Sequence, residues 1–369
     1  MSHHISKNLI FFTLVLFAFA NCKNPSAKKE ERVTEIPEHI LLKEQPKDIP
    51  TPEGMVWVEG KTFTQGAKPG DPFALPREQP AHKVTVDGFF MDITEVTNKQ
   101  FKAFVDATNY ITVAERPIDW EDMKKELPEG TPKPADSILQ PGSLIFNRDV
   151  NIVSDMDNYT QWWLWKIGAN WKHPEGPKSN IDGKDNYPVV HVAYEDALAF
   201  CKWANRRLPT EAEWESAAQG KDTEHIYTWG NDPSLLNASA NTWQGTFPVK
   251  NESVDGFELI APSKSYAPNS IGLYDMLGNV WELTSDWFNV DYYKQLDPSK
   301  PLINPTGADK SYSPDNPYQK EHIIKGGSFL CHASYCSSFR ISARMGTSLD
   351  SGSDHVGFRT VATVAMLRK

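Results

Sequence analysis

The 369-residue chain lacks most of the patterns that would settle its chemistry at once. No glycine-rich loop follows a predicted strand at the spacing used for dinucleotides or nucleoside triphosphates, and no HExxH or paired CxxC pattern marks a zinc centre. A hydrolase triad cannot be assembled from spacing. His191 could be proposed as a base, but its Val-His-Val setting suits a core residue. Positive charge is short as well: the formal net charge is -10. Neutralising phosphates needs a basic face, so nucleic-acid binding by the chain as a whole is excluded. No repeat of fixed period is found. Long helical stretches are scarce, and 27 prolines with 22 glycines call for many loops. The apolar run from Leu9 to Ala20 is too short to span a bilayer comfortably.

What remains is a globular composition, 39% hydrophobic, 11% aromatic and 23% charged, long enough for one large domain or two smaller ones. Lys7 and the apolar run read as an export signal. Cys22 lies where cleavage is expected, so residues 1–22 are assigned as a lipoprotein-type signal peptide with Cys22 as the lipid-bearing residue. A plain secretory signal with an incidental cysteine is the alternative. Residues 23–52, rich in Lys, Glu and Pro, have the composition of a disordered tether, and 53–369 are assigned to the folded body. The protein is therefore expected outside the cytoplasm, periplasmic or at the outer membrane and cell surface. With Cys22 lipidated, Cys201, Cys331 and Cys336 remain, an odd count that leaves at least one unpaired in a monomer.

Along the body, Met55–Phe63 alternates around Gly60 like a hairpin, and His82–Met91 forms a second strand region. Thr97 and Gln100 have capping-box spacing ahead of a helix with Phe101, Phe104 and Val105 inward; Thr210 and Glu213 repeat the device. Between them, Pro188–Val192 reads as a strand and Glu195–Ala204 as a helix with Leu198 and Cys201 inward. Cys201 there suits a small buried hydrophobe. From Ile111 to Gly168 the pattern is irregular, ending in Trp162-Trp163-Leu164-Trp165, whose aromatics favour a long loop packed on the same body with the tryptophans in the core.

Two features carry chemistry. Around Asn241-Thr242, Asp255-Gly256-Phe257 and Asp275 to Glu282, oxygen side chains stand among glycines, as a calcium site needs, although the same residues are ordinary turn formers. Cys331 and Cys336 are five positions apart, and a close cysteine pair serves a soft metal, a redox couple or a structural disulfide. On an unbroken strand they would point to opposite faces about 16 Å apart, so cooperation requires a bend, which His332-Ala333-Ser334 must supply.

Taken together, these residues resemble the formylglycine-generating enzymes, the sulfatase-modifying factors. The landmarks are Met91–Asn98, Gly168–Pro177, Arg207–Glu215, Gly278–Glu282, Gly357–Arg359 and, most discriminating, Cys331-x-x-Ser334-Tyr335-Cys336. The resemblance covers about Met55 to Val361. It implies a single compact α+β body of the sulfatase-modifying, C-type-lectin-like kind with little regular secondary structure. It further implies an oxidoreductase that binds Cu(I) between Cys331 and Cys336 and uses O2 to convert the cysteine of a sulfatase Cys-x-Pro-x-Arg segment to Cα-formylglycine. Its partner would be an extended sulfatase polypeptide, with the membrane reached only through lipid. Ser328, Trp281 and Tyr335 match the oxygen and substrate pocket. Arg344 matches a pocket arginine, and Glu95 and Asp119 match acids that receive the substrate arginine. The resemblance implies two Ca2+ sites: Asn241 and Asp255 by side chain with Thr242 and Phe257 by carbonyl, then Asp275 and Glu282 with Gly278 and Val280. Gly352 and His355 replace a serine and an asparagine that touch substrate in some members. The partner position for Cys201 is Thr360, so no bridge forms there. The segment Trp120 to Asn158 is longer and is expected over the peptide groove. A rival expectation is a non-catalytic lipoprotein using the same scaffold in a surface or secretion assembly; retention of both cysteines argues against it.

Overall fold

The computed structural model describes residues 39–222 and 224–368. Local signals fix the helix starts. Thr97 accepts from the Gln100 N–H while the Gln100 side chain accepts from the Thr97 N–H, opening the Asn98–Thr108 helix. Thr210 and Glu213 open Glu211–Gln219 in the same way. The helix Tyr194–Trp203 buries Ala197, Phe200 and Cys201. Leu198, expected inward, is 43% exposed, because the 197/200/201 spacing sets the core-facing line and 198 lies about 100° off it.

Strands are short and spread over several sheets. Met55–Val58 pairs with Phe89–Asp92, which also takes Val361–Ala362. Lys61–Gln65 pairs instead with His82–Val86. The expected hairpin around Gly60 therefore does not form; its two halves belong to different sheets. Gly60 is pressed against the preceding segment, where a Cβ would stand 2.2 Å from the Leu42 carbonyl oxygen. A four-stranded sheet runs in the order Met345–Ser348, Glu321–Lys325, Trp281–Trp287, Val356–Gly357. Gly142–Phe146 and Trp163–Ile167 form a separate two-stranded hairpin. Pro188–Val192 makes only the isolated bridge of Pro188 with Thr97, and His191 at φ 60° cannot continue a pleated strand.

The folded unit begins at residue 40, earlier than the expected boundary at 53. Gly88 donates to the Leu42 carbonyl at 2.6 Å and Gly60 to that of Lys43 at 3.1 Å. Ile49 is buried with Met55, Phe90, Ala362 and Val364. An apolar anchor and backbone pairing thus override a tether-like composition in 40–52. Residues 1–38, with the expected signal and Cys22, lie outside the described residues. Among the described residues no helix is long and apolar enough to cross a membrane.

The main core gathers Phe101, Phe200, Trp214, Trp281 and Cys331. A second, aromatic cluster of Phe146, Trp162, Trp243, Phe247, Phe329 and Leu330 lies beside it. Of the expected core tryptophans, Trp162 is fully buried and Trp165 is 37% exposed. The mixture of short helices, short strands and much loop is the α+β body the sequence implied.

Candidate functional site

Beyond Glu321–Lys325 the backbone turns at Gly326 and Gly327, both at positive φ. A Cβ on Gly327 would meet the Ser338 and Phe339 backbone at 3.0 Å, so only glycine lets the returning loop close here. The Cys331 N–H donates to the Ser328 carbonyl at 2.9 Å, and the Ser328 N–H points at Cys331 Sγ, 3.4 Å away. Then the chain bends. The N–H groups of Tyr335 and Cys336 both donate to the His332 carbonyl, at 3.0 and 2.7 Å, and Ser337 Oγ donates to the Ala333 carbonyl at 2.9 Å. This is the required bend, and it brings Cys331 Sγ to 2.7 Å from Cys336 Sγ. Both are free cysteines, Cys331 sealed in the core and Cys336 half-buried.

Their environments pull the two thiols apart. Burial pushes Cys331 well above the usual thiol range. The hydrogen bond from Cys331 brings Cys336 down to about 7, with Ser338 and the Arg77 guanidinium assisting. Cys336 is thus the sulfur that ionises first and can accept a soft cation. Arg77 has no sequence signal: it lies some 250 residues earlier and is placed by its Nε–H bond to the Arg344 carbonyl, 2.8 Å. Cys201 contrasts with the pair. It is buried, burial raises it to about 12, and Thr360 opposite is bonded to Asp92.

Ser328 is buried directly at Cys331, and Trp281 is buried in the main core that also holds Cys331. Tyr335 is 42% exposed; its ring stacks on Phe247 at 4.7 Å and meets the edge of Trp162 at 5.4 Å. Two adjoining clefts, about 400 and 580 Å³, share Gln319, Ser351 and Gly352 and form one groove. The first holds His355, stacked on Trp163 at 4.8 Å with Nδ1 3.0 Å from Ser353 Oγ. The second holds Asp119 with Asp122, Glu126, Glu195 and Asp350. Arg116 pairs with Glu195 and Lys125 with Asp122, so the far end stays acidic. Residues 122–126 and 142 line it, as expected of the long segment. Of the residues lining the first cleft, Tyr159 is within electrostatic reach of Tyr335 and Glu321 within that of Arg77.

Two expected groove residues are elsewhere. Arg344 is fully buried, pairing with Glu211 at 2.8 Å and lying over Tyr293 at 4.4 Å. It reaches the site through Arg77, accepting from Arg77 Nε at its carbonyl and donating from Nη1 to the Arg77 carbonyl at 3.2 Å. Glu95 is also fully buried, accepting from Asn279 Nδ2 at 2.9 Å and Ser263 Oγ at 3.2 Å. It belongs to a carboxylate cluster with Asp275 and Glu282. Burial and the Asp275 charge hold it well above the usual carboxylate range, and burial raises Asp275 to about 6.

That cluster tests the calcium expectation. Three buried carboxylates face one guanidinium, Arg359, which clamps Glu282 at 2.6 Å through both oxygens. A divalent cation would offset the excess charge. Asp275 keeps one oxygen unused, and among the described residues nothing donates to the Gly278 or Val280 carbonyls. At the other position Asn241 Oδ1 is buried without a partner. The Asp255 carboxylate is held by the N–H groups of Thr242 and Phe257, each at 3.0 Å, and Gln244 Nε2 lies between Asp255 and the Thr242 carbonyl. Both donor sets are hard oxygens, as calcium prefers.

The model of the sulfatase-modifying factor enzyme 1-like domain matches residues 39–364. The chain belongs to that family. A formylglycine-generating enzyme of Thermomonospora curvata is 39% identical over 312 residues, covering 84% of this chain and 93% of its own length. One from Mycobacterium tuberculosis is 41% identical over 78% of this chain and 91% of its own. The family also includes the inactive Cα-formylglycine-generating enzyme 2 of Bos taurus, 34% identical over 83% of this chain and 86% of its own. Sulfatase-modifying-factor membership therefore does not by itself decide activity. Among solved structures, PvdO from Pseudomonas aeruginosa aligns at TM-score 0.56 with 19% identity, covering 87% of this chain and all of its own, a likeness of fold.

Proposed function

We propose that this protein is a copper-dependent oxidase that converts the cysteine of a sulfatase Cys-x-Pro-x-Arg segment to Cα-formylglycine with O2. The observation that carries the reading is the pair of free sulfurs 2.7 Å apart, one of them half-buried. Two sulfurs suit Cu(I) by softness, and a substrate thiolate supplies a third. Copper, when bound, provides the centre at which O2 is reduced. Going from thiol to aldehyde breaks the substrate C–S bond, releases the sulfur as sulfide and removes two electrons from the carbon; an external thiol, oxidised to disulfide, supplies the other two, so that one oxygen atom of O2 enters the aldehyde and the other leaves as water.

The chain's own residues prepare this step. Arg77 and Ser338 favour the Cys336 thiolate. The Ser328 N–H steadies Cys331. Burial of Cys331 and Trp281 keeps water from the inner side, and Tyr335 screens the outer one. Asp119, at the acidic end, receives the substrate arginine, and His355 with Trp163 forms the wall between. Calcium at Asn241/Asp255 and at Asp275/Glu282 stiffens the loops under the groove. Residues 1–38 direct export, with lipid on Cys22 anchoring the body to a membrane; palmitate labelling abolished by Cys22→Ser would support this, and labelling that persists would contradict it.

The function is tested by following O2 uptake and hydrazide-reactive aldehyde together, using reduced, Cu(I)-loaded protein and a Cys-x-Pro-x-Arg peptide. Uptake without aldehyde would sink the reading. A purely scaffolding role predicts neither.

A further inference from the structure

The hairpin Gly142–Phe146/Trp163–Ile167 is a wall with two lined faces. Trp163 and Leu144 line the first cleft of the groove, and Trp165 and Gly142 line the second. Ile145, Leu164 and Lys166, on the alternate positions, line a separate cavity of about 320 Å³ on the other side. This is the two-residue alternation of a strand.

The outer edge of Trp163–Ile167 is open. The sheet has two strands only, and the register pairs Ile145 with Leu164 and Ser143 with Lys166. Just beyond the ladder, Asn147 donates to the Trp162 carbonyl at 2.9 Å and Gly168 to that of Pro141 at 2.8 Å. Antiparallel pairs alternate between bonded and non-bonded. Residues 162, 164, 166 and 168 therefore face the partner strand, and the N–H and C=O of Trp163, Trp165 and Ile167 face outward. Among the described residues none of these six groups has a hydrogen bond outside the ladder. The strand is also apolar and exposed: Leu164 42%, Trp165 37%, Ile167 46%. Proteins normally blunt such an edge with charge, proline or cover; here only Lys166 interrupts it.

We propose that the client segment binds as a third strand on this edge. The inference rests on the oxidase reading above, and the motif itself supports it. In Cys-x-Pro-x-Arg the three defined residues are two apart, so on a strand their side chains share one face. That face is the groove: the acids line its cleft beside Trp165, and at the other end of the strand Trp162 meets the ring of Tyr335, the neighbour of Cys336. Cys to Arg is four residues, about 13 Å extended, the same length as Trp163 to Ile167. Proline cannot donate to a ladder. The register puts its nitrogen on the side away from the edge and leaves the second and fourth residues to pair with it. Such strand addition takes affinity from main-chain bonds and specificity from alternate side chains.

The probe is a Ser-x-Pro-x-Arg peptide, which binds without being oxidised. N-methylation at its second or fourth residue is expected to weaken binding at least tenfold, and at the arginine less than twofold. On binding, amide exchange should slow at least tenfold at Trp163, Trp165 and Ile167, with Leu164 and Lys166 unchanged. Binding without that two-residue period overturns the proposal, as does failure of the serine peptide to bind a protein that oxidises its cysteine counterpart. Protection of the same three amides by raising protein concentration without peptide would assign the edge to a second copy and overturn it too. Oxidation of the cysteine peptide is scored separately, so the reaction and the binding mode can fail independently.

Discussion

The thiol loop and the Glu282 cluster sit in one body, and both collect side chains that could do chemistry, but they are satisfied differently. At Glu282 both carboxylate oxygens are held inside the protein: Arg359 clamps the pair and the Trp214 indole donates to one at 2.7 Å. At the thiol loop the two sulfurs meet each other, with the Ser328 N–H and Ser338 as further hydrogen-bond partners, and Cys336 is half-buried, not sealed. Clamping makes Glu282 a structural element; partial exposure leaves Cys336 open to reagents. Buried pairs are costly to break and exposed ones cost little.

The largest expected effect lies on the open side. Cys336→Ser should lower turnover by at least roughly a thousandfold, about 4 kcal/mol, while denaturant unfolding shifts by less than about 1 kcal/mol; a large loss of stability would erase the contrast. Next is the sealed side. Arg359→Leu leaves Glu282 unpaired in the core and should cost about 3–5 kcal/mol of stability in the same titration, with a near-neutral result contradicting a structural role. Calcium at a hundred times its dissociation constant should add about 2.7 kcal/mol, seen as a higher Tm. Asp255→Ala should remove at least part of that gain.

The thiols themselves sharpen the comparison through pH. Cys336 lies near 7, and its thiolate appears as pH rises through that value. Iodoacetamide labelling without copper should therefore climb between about pH 6 and 8. Cys201, raised to about 12 by burial, should stay unlabelled until the protein unfolds. The smallest effect belongs to the exposed groove acid: Asp119→Asn should raise KM about two- to fivefold with kcat unchanged, since an exposed ion pair is worth under about 1 kcal/mol.

These differences also explain what could be read in advance. Capping boxes at Thr97 and Thr210 are local, and both helices start where those residues place them. The spacing of Cys331 and Cys336 demanded a bend, and the His332 carbonyl supplies it. The resemblance placed Glu95 and Arg344 at a substrate groove, but a matched position does not report burial; each is sealed among partners distant in sequence. Asp119, exposed, and His355, half-buried, line the two clefts. Arg77 and the strand edge at Trp163–Ile167 carry no local mark, because their roles come from contacts made across the fold. Residues 40–52 show the reverse error, a polar composition held in place by Leu42 and Ile49.

The most direct test is the mass of one cysteine. Wild type, Cys331→Ser and Cys336→Ser are reduced, loaded with Cu(I) and incubated in air with a Cys-x-Pro-x-Arg peptide. The oxidase reading predicts aldehyde at that cysteine with wild type and unchanged thiol with either variant. An unchanged peptide with wild type, or aldehyde that persists without one of the two sulfurs, would contradict it.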